Sequence, residues 1–208
     1  MLNNKTFLAI IPARGGSKRL LNKNILDLSG KPLIGWSINA SLNSKYIDKT
    51  LVSTDSEKII EVALSYGAEV PFKRPGYLSN DHATKEDVIN HAIDFLEKEG
   101  QDKFDYIVYL QPTSPLRTVK FIDLAIWFFF KNNFTSLLSL KKIKNKVYNL
   151  KNKNCYVSKN INYLSDGAIY ICNSEYFLKN KKLISQNNGN IELPEKANVD
   201  VDTLDDLN

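Results

Sequence analysis

Positively charged side chains gather in one short segment near the start of the chain. Arg14, Lys18 and Lys23 surround two adjacent glycines, Gly15 and Gly16. Glycines allow the backbone to approach a ligand closely, and cations neutralise the charge that grows on phosphate oxygens when a P–O bond breaks. The segment therefore predicts a loop that binds a polyphosphate, with an ordinary basic turn as the alternative.

Two common nucleotide-binding signatures are absent from this loop. Its spacing does not match GxxxxGK followed by Ser or Thr, and it does not match GxGxxG. Asp55, which follows the second predicted strand, lies too close to the start of the next helix to serve as a ribose-binding carboxylate. A nicotinamide-dependent oxidoreductase is therefore disfavoured.

A glutamine and two aspartates supply further polar groups. Gln111 directly follows an apolar run at 106–110, and its carboxamide can both donate and accept hydrogen bonds. Asp200 and Asp202 are two positions apart, so in an extended strand both carboxylates face the same side. Because Mg²⁺ favours one or two carboxylates together with substrate oxygens and water, this pair predicts a Mg²⁺ site.

Strand-like and helix-like segments alternate along most of the chain. The unbroken apolar run at 7–11 predicts a strand buried on both faces, as in a parallel sheet. Further strands are predicted at 50–53, 69–72, 106–110, 135–140, 167–172 and 199–202, and helices at 32–42, between Ser56 and Gly67, at 87–99 and at 118–131. The pattern indicates an α/β fold with a Rossmann-like, mostly parallel sheet flanked by helices. Such sheets bind ligands beyond the carboxyl ends of their strands, where the three polar segments fall.

Residues 141–187 interrupt this alternation. The sequence there becomes rich in Lys and Asn, and short strands are predicted at 147–150 and 154–157. We interpret 1–140 and 188–208 as a nucleotide-binding α/β domain. We interpret 141–187 as a small β-rich excursion that packs on a second subunit.

Bulk composition narrows the class of protein. The chain has 208 residues, a net charge of +5 and 43% hydrophobic residues, which is typical of a globular protein with one main core. The positive charge suits an anionic substrate, whereas the lysines in the segments 141–146 and 179–182 lack the aromatic stacking partners of an RNA-binding surface. No leader segment and no apolar run long enough to cross a bilayer are visible, so we expect a cytoplasmic protein that binds neither nucleic acid nor membrane.

The order of these motifs resembles that of the acylneuraminate cytidylyltransferase family, which includes the CMP-sialic acid and CMP-legionaminic acid synthetases. The matching segments are 10–18 with Lys23 and Asn24, then 53–55, 74–75, 111–117, 166–170 and 200–202. They span nearly the whole chain, which makes the resemblance far more specific than a single glycine-rich loop. It implies a fold of the nucleotide-diphospho-sugar transferase type, CTP and an acidic sugar as substrates, Mg²⁺ as cofactor and a homodimer.

The resemblance also implies substrate-binding residues. These are Arg14, Gly15, Gly16, Ser17, Lys18, Lys23, Asn24, Arg74, Ala83, Lys85 and Gln111. The catalytic group would comprise Arg14, Lys23, Gln111 and Asp202. By resemblance, Arg14, Lys23 and Asn24 would contact the phosphates of the nucleotide.

Roles for the rest of the site follow from the same resemblance. Arg74 and the segment 83–85 would border the cytosine, Gln111 would meet the sugar, and Asp200 and Asp202 would hold Mg²⁺. The anomeric hydroxyl of the sugar would attack the α-phosphorus of CTP and release pyrophosphate. The excursion would reach the active site of the partner subunit.

This sequence departs from the family pattern near the implied sugar site. Lys85 stands where many sialate enzymes have Ser, and Asp166 replaces the common Asn before Gly167. Leu164 and Ser165 stand where relatives often carry a basic residue. We expect a nine-carbon ulosonic acid of the sialic or legionaminic type as the acceptor. A pseudaminate or Kdo type synthetase and a non-catalytic nucleotide-binding relative stay open as alternatives.

Overall fold

The chain folds into alternating strands and helices. The computed structural model describes residues 2–100, 103–143, 148–151, 154–157 and 162–207. Within these ranges the strands are β1 (Phe7–Pro12), β2 (Asp27–Leu28), β3 (Lys31–Pro32), β4 (Lys49–Ser53), β5 (Tyr106–Tyr109), β6 (Ser136–Ile143), β7 (Tyr148–Lys151), β8 (Asn154–Val157), β9 (Asn162–Asn173) and β10 (Asn188–Glu192). The α-helices are α1 (Leu33–Leu42), α2 (Glu57–Ser65), α3 (Lys85–Lys98), α4 (Val119–Lys131) and α5 (Ser174–Asn180). Single-turn 3₁₀ helices lie at Lys23–Ile25, Gly76–Leu78, Glu195–Ala197 and Asp205–Leu207.

Six of these strands form one mixed sheet in the order β10-β6-β9-β5-β1-β4. β1 runs parallel to β4 and β5, and β10 runs parallel to β6. β9 alone in this sheet runs antiparallel to its neighbours, β5 and β6. The predicted α/β class with a mostly parallel sheet is therefore confirmed.

The apolar run of β1 supplies both faces of the sheet. Phe7, Ala9 and Ile11 pack with buried residues of α1, α2 and α4, whereas Leu8 and Ile10 pack with those of α3 and α5. All five side chains are at most 1% exposed. Because alternate residues of a strand face opposite sides, one continuous apolar run can serve two helical layers.

The helix α3 begins two residues before the predicted start at 87. The hydroxyl of Thr84 accepts a hydrogen bond from the backbone amide of Asp87 at 3.1 Å. The Asp87 carboxylate in turn accepts a hydrogen bond from the backbone amide of Thr84 at 2.9 Å. These reciprocal bonds satisfy backbone donors that the first helical turn leaves unpaired.

Within the described residues, no helix is both long and apolar enough to span a membrane.

The predicted strand at 69–72 is wrong. Only isolated parallel bridges join Glu69 to Leu51 and Lys73 to Thr54. Pro71 has no amide hydrogen to donate, which interrupts a continuous ladder between the two bridges.

The region 141–187 contains parts of the main sheet as well as a separate hairpin. β9 includes the predicted strand at 167–172 and extends it to 12 residues, and α5 follows directly. β7 and β8 pair only with each other among the described strands and correspond to the predicted strands at 147–150 and 154–157, although residue 147 lies outside the described residues. The role of this region in dimerisation stays a prediction.

Phe129 provides a test of how α4 packs on the sheet. Its ring is 1% exposed and meets Tyr106 edge-on with 5.3 Å between ring centroids, so Phe129→Ala should lower the free energy of unfolding by about 3–5 kcal/mol. Trp127 on the same helix is 41% exposed beneath Lys131, so Trp127→Ala should cost about 1 kcal/mol or less. Urea unfolding of both variants measures the difference, and equal losses would contradict this orientation of α4.

Candidate active site

A cleft of about 680 Å³ opens beside the ends of β1 and β5. β4 pairs with one side of β1 and β5 with the other, so the order of the strands reverses at β1. Ligands of open α/β sheets bind where the strand order reverses. The lining includes most of the predicted site residues, namely Arg14, Ser17, Lys18, Lys23, Asn24, Arg74, Ala83, Lys85, Gln111, Asp200 and Asp202. The three polar segments identified in the sequence therefore meet at one place.

Gly15 and Gly16 belong to the loop after β1 but not to the lining of the cleft. The amide of Gly15 donates to Asp55 Oδ1 at 2.8 Å, and a Cβ on Gly15 would lie 2.9 Å from the Cβ of Ser56. Gly15 thus allows the loop to pack against the start of α2. Asp55 supports this packing as a hydrogen-bond acceptor.

Asp81 holds two cations of the same loop. Its carboxylate accepts a hydrogen bond from the Arg14 guanidinium at 2.7 Å and forms an ion pair with Lys18. Hydrogen bonds from Lys18 and Arg14 lower the pKa of Asp81 to about 2, so its carboxylate is ionised throughout the neutral range. The side-chain amide of Asn24, which is 4% exposed, donates to the carbonyl of Arg14 at 3.1 Å. Arg14 is therefore fixed by both its side chain and its backbone.

Asp202 holds the other two cations of the loop. The Lys23 ammonium lies 2.7 Å from Oδ1 of Asp202, and the Arg19 guanidinium lies 2.7 Å from Oδ2. The hydrogen bond from Lys23 keeps the pKa of Asp202 below its usual range. Because the Lys23 side chain is only 14% exposed, solvent and salt screen this pair less than a surface ion pair.

Charges along the cleft do not cancel. Six cationic side chains line it, Arg14, Lys18, Arg19, Lys23, Arg74 and Lys85, against three carboxylates, Asp81, Asp200 and Asp202. This leaves an excess of three positive charges in a concave site. Such an excess attracts an anionic ligand and raises its local concentration.

The segment that carries Asp200 and Asp202 is not a strand, which corrects the last predicted strand. The amide of Val201 donates to the carbonyl of Thr113 at 2.8 Å, and the amide of Asp202 donates to the Asp206 carboxylate at 2.9 Å. These bonds take the place of strand pairing. They anchor the segment to the loop after β5, and both carboxylates line the cleft.

The carboxylates suit a metal that a ligand helps to bind. Among the described residues, no group of three or more His, Cys, Asp and Glu side chains could hold a metal ion. Asp200 and Asp202 nevertheless provide the one or two carboxylates that Mg²⁺ uses when substrate phosphates and water complete its coordination. The residues therefore fit Mg²⁺ bound together with a polyphosphate.

Arg74 is a buried cation whose side chain is incompletely satisfied. It is 5% exposed, its amide donates to the carbonyl of Thr54 at 2.7 Å, and burial lowers the pKa of its guanidinium. Its Nε and one terminal nitrogen have no hydrogen-bond partner among the described residues. A buried unpaired donor costs about 1–3 kcal/mol, so a polar ligand that pairs with Arg74 would recover this energy.

Gln111 is fixed from two sides. The buried guanidinium of Arg117 donates to the carbonyls of Gln111 at 2.9 Å and Ala168 at 2.7 Å, and to the hydroxyl of Ser37 at 2.7 Å. Gly167 has φ of +78°, and a Cβ there would lie 2.3 Å from Oε1 of Gln111. Glycine is therefore required at 167 both by the backbone conformation and by the position of the Gln111 side chain.

The sequence analysis gave no role to several residues of the site, although three of them lie in the segments 111–117 and 166–170 that match the family. They are Arg19, Asp81, Tyr109 and Thr113, which line the cleft, and Arg117 and Tyr170, which support lining residues. Arg19 belongs to the basic segment itself, so its charge was a usable signal. Tyr170 contacts Lys85 only because β9 pairs antiparallel with β5, and no local pattern predicted that pairing.

The sequence profile of the cytidylyltransferases matches residues 8–196 of the chain. This range includes the loop after β1 and Gln111. The chain belongs to the cytidylyltransferase family. This confirms the family resemblance and the nucleotidyltransferase class predicted from the motifs.

Relatives of this cytidylyltransferase include enzymes named for acidic sugars. The pseudaminic acid cytidylyltransferase of Campylobacter jejuni is 36% identical over an alignment that covers 96% of this chain and 92% of that protein. The CMP-N,N'-diacetyllegionaminic acid synthase of Legionella pneumophila is 37% identical over an alignment that covers 94% of this chain and 90% of that protein. The fold is shared with the structure of CMP:2-keto-3-deoxy-manno-octonic acid synthetase complexed with CTP, at a TM-score of 0.70 and 19% identity over 96% of this chain and 94% of that one.

Substitution of Gly167 tests whether the cytidylyltransferase site depends on the position of Gln111. Gly167→Ala should lose about 1–2 kcal/mol of stability because of its left-handed backbone, and should also displace the Gln111 side chain. Gly30→Ala is the matched control, since Gly30 has φ of +82° but nothing within 4 Å of an added Cβ. Thermal unfolding of the two variants should give similar losses, while turnover should fall only in Gly167→Ala. Equal turnover in both would contradict a role for this contact.

Proposed function

We propose that the protein transfers CMP from CTP to the anomeric hydroxyl of an acidic nine-carbon ulosonic sugar of the sialic or legionaminic type and releases pyrophosphate. The observation that carries this proposal is one cleft in which cations of the loop after β1, the carboxylates near residue 200 and the fixed Gln111 meet. The names of the relatives, which specify pseudaminic and legionaminic acids, support the acidic sugar.

Binding of the triphosphate would use the cations now paired with carboxylates. Arg14 and Lys23 would exchange Asp81 and Asp202 for phosphate oxygens, which demand the same charge and hydrogen bonds. These groups would neutralise the negative charge that grows as the bond between the α-phosphorus and the pyrophosphate breaks. Ser17, Lys18 and Asn24 line the same part of the cleft and would complete the contacts.

The part of the cleft around Gln111 would align the acceptor sugar. The anomeric oxygen of the sugar forms the new bond to the α-phosphorus as pyrophosphate leaves, and the hydroxyl proton is lost. Gln111, fixed between Arg117 and Gly167, would hold the sugar in line for this attack. Arg74 and Ala83 line the cleft on the side proposed for the cytosine, where the free donors of Arg74 could meet polar atoms of the base.

Asp200 and Asp202 would hold Mg²⁺ together with the triphosphate. Bound Mg²⁺ supplies charge neutralisation and orientation of the phosphate oxygens. For Asp202 to take this role, Lys23 and Arg19 would turn from its carboxylate toward the phosphates. The side chain of Asp202 is 39% exposed, so it is accessible to such an exchange.

The assembly and location belong to the same proposal. We propose a cytoplasmic homodimer in which the region 141–187 contacts the active site of a second copy. Tyr163 and Leu164 at the start of β9 support a covered surface, because these large apolar side chains are 43% and 55% exposed.

CMP transfer to pseudaminic acid is the second candidate. The segment 111–117 resembles the sialate and legionaminate enzymes more than the pseudaminate enzymes, whereas a pseudaminic acid enzyme is 36% identical along almost the whole chain. The deciding experiment measures pyrophosphate release from CTP and Mg²⁺ with sialic, legionaminic, pseudaminic and Kdo acids in parallel. We expect release with sialic or legionaminic acid, whereas release with pseudaminic acid alone would favour the second candidate. No release with any acid, or release with Kdo alone, would overturn the proposal.

Asp202 tests the catalytic part of the proposal. Asp202→Ala should lower CMP transfer by at least about a hundredfold, because even residues that only support metal ligands often contribute 10–100-fold. The fold should persist, since the segment is anchored through the backbone of Val201. Asp205→Ala, which removes an exposed carboxylate three residues away, is the control and should keep normal turnover. Near-normal transfer by Asp202→Ala, with unchanged dependence on Mg²⁺ concentration, would remove Asp202 from the site.

A further inference from the structure

Lys85 differs from the other lysines that line the cleft. Lys18 pairs with Asp81 and Lys23 pairs with Asp202, whereas no carboxylate of the described residues lies within salt-bridge distance of Lys85. Its ammonium instead sits over the ring of Tyr170, 4.3 Å from the centroid, and donates to the Tyr170 hydroxyl at 3.2 Å. An ammonium held in this way keeps its positive charge available for an anionic ligand.

The support for Lys85 is itself fixed. Tyr170 is 4% exposed, its ring meets Tyr109 edge-on at 6.2 Å, and its hydroxyl shares a hydrogen bond with Ser165 at 2.7 Å. The backbone of Lys85 lies in the first turn of α3, immediately after the cap at Thr84. Both ends of the flexible side chain are therefore restrained, which reduces the entropy lost when it binds a ligand.

The position of Tyr170 directs this charge toward the sugar side of the cleft. Tyr170 pairs with Tyr109 across β9 and β5, and Gln111 follows β5 two residues later. The Gln111 side chain lies against Gly167 of the same strand β9. Lys85 and Gln111 therefore both meet β9, whereas Arg14 and Lys23 are engaged with carboxylates at the loop after β1.

We propose that Lys85 binds the carboxylate of the acidic sugar and selects for a charged acceptor. The inference rests on the proposed function and gives Lys85 a different partner from the cytosine implied by the family resemblance. A 2-keto sugar acid carries its carboxylate on the anomeric carbon, so the group that recognises the charge must lie close to the reacting hydroxyl. Lys85 supplies an unpaired cation on the same side as Gln111, and a charged hydrogen bond suits a carboxylate.

The test compares the free sugar acid with its methyl ester, which lacks the charge, in the wild-type protein and in Lys85→Met. With wild-type protein, kcat/KM should be higher for the acid. In Lys85→Met the ratio of acid to ester should fall about tenfold or more, as expected for a lost charged hydrogen bond. The KM for CTP should change less than about twofold, because the substitution removes no group that this proposal assigns to the nucleotide. Lys85→Arg, which keeps a cation, should restore part of the preference.

The control is Lys131→Met, which removes another lysine ammonium lying over an aromatic ring, 4.6 Å from the centroid of Trp127. It should leave the preference for the acid unchanged, and thermal unfolding of both variants separates a binding defect from a folding defect. An unchanged ratio in Lys85→Met, or a raised KM for CTP in place of the sugar, would overturn the inference while leaving the proposed function intact. A wild-type protein inactive with every ulosonic acid would instead overturn the proposed function and this inference with it.

Discussion

A buried cation, Arg117, holds the carboxyl edge of the sheet together. Its side chain joins the loop after β5 to β9 and to α1 through carbonyl and hydroxyl acceptors. Burial lowers the pKa of Arg117 to about 9, so the guanidinium is still protonated at neutral pH. An unpaired buried charge costs several kcal/mol, which makes these acceptors, with the nearby Asp166, a strong constraint on the local backbone. The direction of Gln111 depends on this constraint.

A flexible set of charges surrounds this rigid base. Asp81 and Asp202 each hold two cations of the loop after β1, and none of these four ion pairs is fully buried. Exposed ion pairs contribute little to stability, so the exchange of the carboxylate partners of Arg14, Lys18 and Arg19 for phosphate oxygens costs little. Lys23 is less exposed, and for it a phosphate oxygen would have to replace the charge of Asp202. The cleft thus combines a fixed Gln111 with cations that can change partners. Lys85 is attached to β9 and belongs to the rigid part.

The sequence predicted features that depend on local patterns. The apolar run of β1 indicated a doubly covered strand, and the basic loop, Gln111 and the two aspartates were assigned to one site. Backbone hydrogen bonds between segments distant in sequence were not predicted. β10 contains the polar sequence Asn-Gly-Asn, which reads as a turn, yet it pairs with β6. The segment around Asp202 alternates like a strand, yet its hydrogen bonds go to Thr113 and Asp206. Asp81 became part of the site only through the folding of its loop toward Arg14.

In the proposed reaction Lys23 and Asp202, which contact each other at 2.7 Å, separate to receive a magnesium triphosphate. A crystal structure of the protein with CTP and Mg²⁺ tests this claim most directly. We expect phosphate oxygens next to Lys23, the metal next to Asp200 and Asp202, and a broken ion pair. Bound nucleotide elsewhere in the molecule, with the contact between Lys23 and Asp202 intact, would contradict it.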